Sequence, residues 1–247
     1  KYEENYRITA EALEAAVSDK TKLLIINYPN NPTGQILTEA DIQALTVFLR
    51  KHPDIYVLSD EIYEKIVYDQ KQIISLASIP EFFDRVIIVN GFSKCSAMTG
   101  WRLGYLACNT AMYQVVLKLF QHSISCTSGF LQRGALTAMD CVEETEQMRQ
   151  AYEKRKNLLV KGIHEIPGVE LLTPAGAFYA WVKFDTDMDS ETLCNDLLDK
   201  AKIAGVPGIA YGEEDCVCIR FSFAASEDVL RTMLERLKTY QTTHNDL

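Results

Sequence analysis

A chain of 247 residues, 47% hydrophobic and 24% charged, has the composition of an ordinary globular protein, with apolar material for a sizeable core in one large domain or two modest ones. Its formal net charge of -9 disfavours general binding to nucleic acid or anionic membranes and directs attention to small-molecule ligands. No apolar run approaches the roughly 18 residues that span a bilayer, and no signal-peptide order of charged, apolar and small residues is present, so a cytoplasmic location is expected.

Near the start, "ITAEALEAAV" has helical spacing and leads through a polar bend into "LLIINYP", a short branched apolar run that reads as a buried strand. "NNPTG" ends it. Thr38 and Asp41 then form a capping pattern before Ile42, Leu45, Phe48 and Leu49, a helical stripe that stops before Pro53. "IYVLSDEIY" and, after a longer connection, "RVIIVN" read as further strands. Strand, helix, strand alternation predicts an α/β class with a largely parallel sheet. "LGYLAC" follows the third strand after only about a dozen residues, which predicts an antiparallel return beside it.

From Ala111 to His164 the pattern predicts helices, broken near Ser123 to Gly129. Beyond them "VELLTPAGAFYAWVKF" and "CVCIRFSFA" read as strands, separated by a helix from Ser190 to Gly205 and followed by one from Ser226 to about Tyr240. The expected division is a large domain over residues 1–145 and a smaller α+β domain over residues 146–247. Seven cysteines, an odd number, lie scattered without zinc spacing, and the expectation is a mostly buried, reduced set and no metal. Cys216 and Cys218 fall on one face of an expected strand, which fits core packing.

Ligands of an open α/β sheet sit at the carboxyl ends of its parallel strands, so the residues placed there carry the functional reading. The first strand leads to Asn31, the second to Asp60 with Tyr63 one turn on, and the third to Ser93 and Lys94. Turn formation alone accounts for the residue types of Asn31 to Gly34, and a solvated rim is the plain alternative for the charged ones. A lysine in a polar turn at the mouth of a sheet is suited to attack carbonyl groups as a nucleophile rather than to serve as surface charge. Arg102, eight positions later, is suited to hold phosphate. Together these residues describe a site for pyridoxal phosphate, which needs a lysine for its aldehyde, a carboxylate at its pyridine nitrogen, and donors for its phosphate and phenolic oxygen.

"NNPTG", "SDEIY", "GFSKCSAMTGWRLG" and "CIRFSFA", in this order and separation, resemble the class I aminotransferases of the fold-type-I pyridoxal phosphate enzymes. The resemblance runs across nearly the whole chain and includes "PAGAFYAWV" and "VPGIAYG". It implies that Lys94 holds the cofactor and moves the substrate's α-proton, that Asp60 holds the pyridinium proton, and that Asn31 and Tyr63 bond the phenolic oxygen. Arg102 would grip the phosphate, and Arg220 would take the substrate's α-carboxylate in a two-pronged pair; a surface salt bridge is the alternative for Arg220. The peptide bond from Asn31 to Pro32 is expected to be cis. The implied substrates are an amino acid and a 2-oxo acid, in a homodimer, with no nucleic acid and no membrane.

Part of the family offers a serine to the phosphate three residues before the lysine, where this sequence has Gly91, so Ser93 or a backbone N–H is expected to supply that bond. The sequence opens at Lys1 without an initiator methionine, and the resemblance implies a missing preceding segment of about a third of the usual length. That segment brings a phosphate loop, a ring stacked on the cofactor, and residues that reach the neighbouring subunit. Without it the chain is expected to be a poor transaminase or none. A lyase on the same scaffold and a non-catalytic effector module or remnant are the other readings, although "AMTGWR" resembles aminotransferases more than the lyase branches.

Overall fold

The structure, a computed structural model, describes residues 1–244. It comprises two compact units: one of residues Arg7–Pro29 and Ile36–Met148, the other of Lys1–Tyr6, Asn30–Gln35 and the residues from Arg149 onward.

In the first of these units, helix α1 (Ala10–Ala16) is capped by Thr9, whose hydroxyl accepts from the Ala12 N–H. Helix α2 (Glu39–Lys51) opens with the complete capping box the sequence predicts, Thr38 and Asp41 each bonding the other's backbone N–H. Burial pushes the Asp41 carboxyl up, but bonds from Thr38, the Ile8 N–H and Arg7 outweigh it and hold the group below its ordinary value. The stripe of Leu45, Phe48 and Leu49 packs with Ile26, Val57 and Phe82 into one core.

Four strands form the sheet of this unit: β1 (Leu23–Asn27), β2 (Tyr56–Asp60), β3 (Val86–Gly91) and β4 (Gly104–Ala107). Their spatial order is β1-β2-β3-β4, parallel through β3, with β4 antiparallel to β3 as the short connection predicts. Helices α3 (Thr110–Ser123) and α4 (Gly129–Asp140) follow, and the division between the units falls within the next helix, α5 (Val142–His164), after Met148. The break after Ser123 is the expected one. A second break, at Cys141, carries no glycine or proline to announce it. Several apolar side chains of this unit stand largely exposed among the described residues, including Ile25 at 65%, Leu119 at 67% and Phe130 at 76%.

The other unit holds an antiparallel sheet of order β5-β6-β8-β7, built from β5 (Val169–Leu172), β6 (Tyr179–Phe184), β7 (Val206–Pro207) and β8 (Cys218–Ser222). "VELLTPAGAFYAWVKF" is therefore a hairpin rather than one strand, because Pro174 and Gly176 interrupt the ladder and Ala177 turns at φ 56. Helix α6 (Ser190–Asp196) is shorter than the sequence pattern suggests: the chain continues as a wider turn over Leu197–Ala201 and stops at left-handed Lys202. Gly205 does not stop that helix. A Cβ there would stand 2.4 Å from Ile219 Cγ2, so the glycine serves close packing against β8. Helix α7 (Glu227–His244) ends the described chain.

The expectation of mostly buried cysteines is corrected: Cys218 is buried, Cys126 exposed and the other five half-buried. Several lie at element ends, where cover is partial, such as Cys108 just past β4 and Cys141 between α4 and α5. The Cys216 and Cys218 sulfurs are 3.3 Å apart, consistent with one face. Among the described residues no group of three or more His, Cys, Asp or Glu is arranged to hold a metal, and no helix is long and apolar enough to cross a membrane.

Candidate active site

The sequence-predicted residues fall into two groups, one in each unit. The first lies at the carboxyl ends of β2 and β3, which run parallel with Asp60 opposite Val89. The Asp60 carbonyl accepts from the Tyr28 N–H and from the Asn27 amide, both at 3.1 Å, so the chain leaving β1 is tied to the end of β2. The Asp60 carboxylate accepts from the Ile62 N–H at 3.1 Å and shapes the turn that carries the buried Tyr63. Glu61, which the sequence reading did not single out, is buried and accepts from the Ser59 and Ser75 hydroxyls at 2.9 and 2.6 Å, fixing the same corner.

Residues 92–103 form a loop from β3 to β4 that is closed at its neck. Phe92 N–H donates to Leu103 O at 3.4 Å, and Gly91 faces Gly104 in the strand register. A Cβ on Gly91 would stand 2.9 Å from both Gly104 Cα and Leu103 O. This contact is with backbone, which explains why glycine occupies a place where a serine was the other family option. Gly91→Ser is expected to lower stability by about 1–3 kcal/mol through overpacking at the neck. Thermal melting checks this, and an unchanged midpoint would refute the close approach.

Ser93 and Lys94 are half-buried near the start of that loop, with Lys94 Nζ 5.9 Å from the centre of the Tyr63 ring. Arg102 stands at the loop's other end in a left-handed conformation, φ 53, exposed, with Nη1 donating to Thr99 O at 3.1 Å. A single closed loop thus carries the serine, the lysine and the arginine, and Asp60 and Tyr63 belong to the neighbouring strand end.

The second group surrounds Arg220 on β8. The Asn31–Pro32 bond is cis, as the sequence reading expects, and Tyr28–Pro29 is cis as well. Gly34 sits at φ 70, where a Cβ would stand 2.5 Å from Pro174 Cβ, and its carbonyl accepts from the Ala175 and Gly176 N–H groups at 2.8 and 2.9 Å. This docks the "NNPTG" turn on the β5–β6 hairpin. Arg220 Nη1 then donates to Asn31 Oδ1 at 2.8 Å. The guanidinium carbon lies 4.5 Å from the centre of the Tyr179 ring and 5.2 Å from that of Tyr211, and Nε is buried without a hydrogen-bond partner among the described residues.

Among the described residues, the partners of Arg220 are an amide and two rings rather than a carboxylate. A partly desolvated guanidinium without a counter-charge is a ready partner for an anion. The ion-pair alternative for Arg220 finds no support in this arrangement. Tyr179 and Tyr211 were not assigned from the sequence, although both lie in the quoted stretches "PAGAFYAWV" and "VPGIAYG". The sequence carries no signal that joins them to Arg220: the folded sheet sets Trp181 directly opposite Arg220, which makes Tyr179 its diagonal neighbour.

The first unit carries a mostly parallel sheet with the lysine loop at its carboxyl ends, the second an antiparallel sheet with Arg220, and the comparisons name the α/β scaffold. The family described as aminotransferase class I and II matches residues 1–237, and the chain belongs to that family. It is 41% identical over 238 residues to an aspartate aminotransferase of Musicola paradisiaca, covering 95% of this chain and 59% of the relative. It is 38% identical over 242 residues to aromatic-amino-acid aminotransferase 2 of Thermococcus litoralis, covering 96% and 62%. The crystal structure of an aromatic aminotransferase from Pyrococcus horikoshii superposes with a TM-score of 0.95 at 35% identity, covering all of this chain and 67% of that one. The α/β architecture is that of the fold-type-I aminotransferases. The chain spans about three fifths of the length of the curated relatives it matches.

Proposed function

We propose that this chain carries the lysine and arginine of a pyridoxal phosphate-dependent aminotransferase, which moves an amino group between an amino acid and a 2-oxo acid. The observation that carries the reading is the guanidinium of Arg220, ringed by an amide and two tyrosines without a carboxylate, in a family of pyridoxal phosphate enzymes. The residues present fit the cofactor by their chemistry: an amine, a carboxylate acceptor, hydroxyl donors and an arginine at the sheet edge.

Pyridoxal phosphate, when bound, supplies an aldehyde for amines and a ring that takes up the electron pair left at the substrate's α-carbon. Lys94 Nζ would hold the aldehyde carbon and, once displaced by substrate, carry the α-proton. The Asp60 carboxylate would keep a proton on the pyridine nitrogen. Asn31 and Tyr63 would donate to the phenolic oxygen. Ser93 and Arg102 would bind the phosphate, and Arg220 the α-carboxylate of the substrate. Residues 1–145 would form the cofactor-binding part and 146–247 the small domain, in a cytoplasmic homodimer.

The exposed apolar side chains of β1, α3 and α4, together with the three-fifths span, support a further reading: the 247-residue chain by itself is a weak or inactive catalyst. Half-transamination followed by the absorbance of the bound cofactor tests both readings. In the complete protein one amino acid should convert the cofactor stoichiometrically, and failure there would refute the aminotransferase. Efficient conversion by the 247 residues alone would refute only the dependence on further residues.

A further inference from the structure

Tyr6 and Glu213 belong to neither group described above, yet they bond to the structure that holds Arg220. The Tyr6 hydroxyl donates to the Glu213 carboxylate and accepts from the Trp181 indole N–H at 2.8 Å. Trp181, 1% exposed, stands opposite Arg220 in the β6–β8 register and meets the Tyr211 ring edge-on, centres 5.8 Å apart at 83°. Tyr211 is the ring 5.2 Å from the Arg220 guanidinium.

Glu213 also holds the segment that delivers Tyr211. Its N–H donates to Gly208 O at 3.1 Å, and Gly212, at φ 80, donates to Ile209 O at 3.0 Å, so Tyr211 sits inside a closed turn. Tyr6 itself has φ 53, directly after Asn5 at φ 54. A tyrosine keeps that left-handed conformation only where its surroundings hold it. Burial, and then the Glu213 carboxylate, push the Tyr6 phenol well above its ordinary value, so the hydroxyl stays a donor across the physiological range.

A guanidinium pairs with a carboxylate in two parallel bonds only when its plane is aligned. The Asn31 bond fixes one corner of Arg220, and the rings have to fix the plane. We propose that Tyr6 and Glu213 are positioning residues for carboxylate recognition: their hydrogen bond, relayed through the Trp181 indole, holds Tyr211 against Arg220 and so sets the guanidinium plane. This rests on the reading of Arg220 as the carboxylate's partner.

The test is calorimetric titration of the complete, cofactor-loaded protein with maleate and, in parallel, 3-phenylpropionate, a dicarboxylate and an aromatic monocarboxylate. Glu213→Ala should raise the dissociation constant about fivefold, the scale of one lost hydrogen bond, and Tyr6→Phe, which loses the bonds to both Glu213 and Trp181, by about fivefold or more. Glu213→Gln should stay within about twofold of native, because its amide oxygen still accepts from Tyr6. Cofactor affinity should be unchanged in all three. Arg220→Lys is the control for the underlying reading. If it weakens binding while Tyr6→Phe and Glu213→Ala do not, the relay is overturned and Arg220 keeps its role. If it has no effect, or neither ligand binds the native protein, the Arg220 reading falls and the relay with it. Parallel loss of cofactor affinity in Tyr6→Phe, or a Glu213→Gln defect equal to that of Glu213→Ala, also overturns the relay. Should Tyr6→Phe fail to fold, the contrast between the two Glu213 variants decides, since that side chain is only half-buried.

Discussion

Lys94→Ala in the complete protein is expected to lower kcat by roughly 10⁴-fold or more, because one side chain is assigned both the covalent hold on the cofactor and the transfer of the α-proton. The expectation follows from position. Lys94 lies in a loop whose neck is closed by the Gly91 and Gly104 pair, and its amine stands 5.9 Å from the centre of a buried tyrosine ring, so it is held rather than waving in solvent. An alanine leaves the loop's backbone and the carboxylate of Asp60 in place. The fold and a share of the cofactor affinity should therefore survive, and the loss should appear in the chemical step. Borohydride reduction of the native holoenzyme, followed by peptide mapping, should place the label on Lys94. Label on another lysine, or a variant that keeps more than about a tenth of the native rate, would remove Lys94 from the role.

The first unit was legible because local signals agreed with one another. Thr38 and Asp41 mark a helix start by chemistry confined to four residues, and the strands from "LLIIN" to "RVIIVN" are short branched runs between turns. The candidate site was legible for the same reason, since polar residues that follow short apolar strands stand out against them, although β1, expected to be buried, is half exposed in the structure. What escaped the reading depends on partners distant in sequence. The need for glycine at Gly91 comes from Gly104 and Leu103 across the strand pair, and Gly205 answers to the bulk of Ile219 on β8, so neither could be read from its own neighbours. The rings on Arg220 come from β6 and from the turn before β8, and the buried Glu61 matters through a serine fourteen residues away. Helix length failed at α6 because a wider turn continues the same apolar spacing for some residues after the regular helix has ended.

Arg220→Lys should reduce kcat/KM about a hundredfold, chiefly through KM, because a lysine keeps the charge but loses the planar fork that makes two parallel bonds to a carboxylate. The local geometry sharpens the expectation. Arg220 spends Nη1 on Asn31 and rests against Tyr179 and Tyr211, so its plane is fixed before any anion arrives. An ammonium at the end of a flexible stem would reach the same space without that alignment, and it would leave the Asn31 oxygen without its present donor. Two rings that now stack on a flat cation would face a rounder, more strongly hydrated one, which resists desolvation. Cofactor affinity should fall far less than substrate affinity, since Arg102 and Asp60, assigned to the phosphate and the pyridine nitrogen, are untouched and only Asn31 loses a partner. Steady-state kinetics with the amino acid varied, beside a cofactor titration of the same variant, separates the two effects. Equal loss of substrate and cofactor affinity would mean that Arg220 supports the fold of β8 rather than the recognition of a carboxylate.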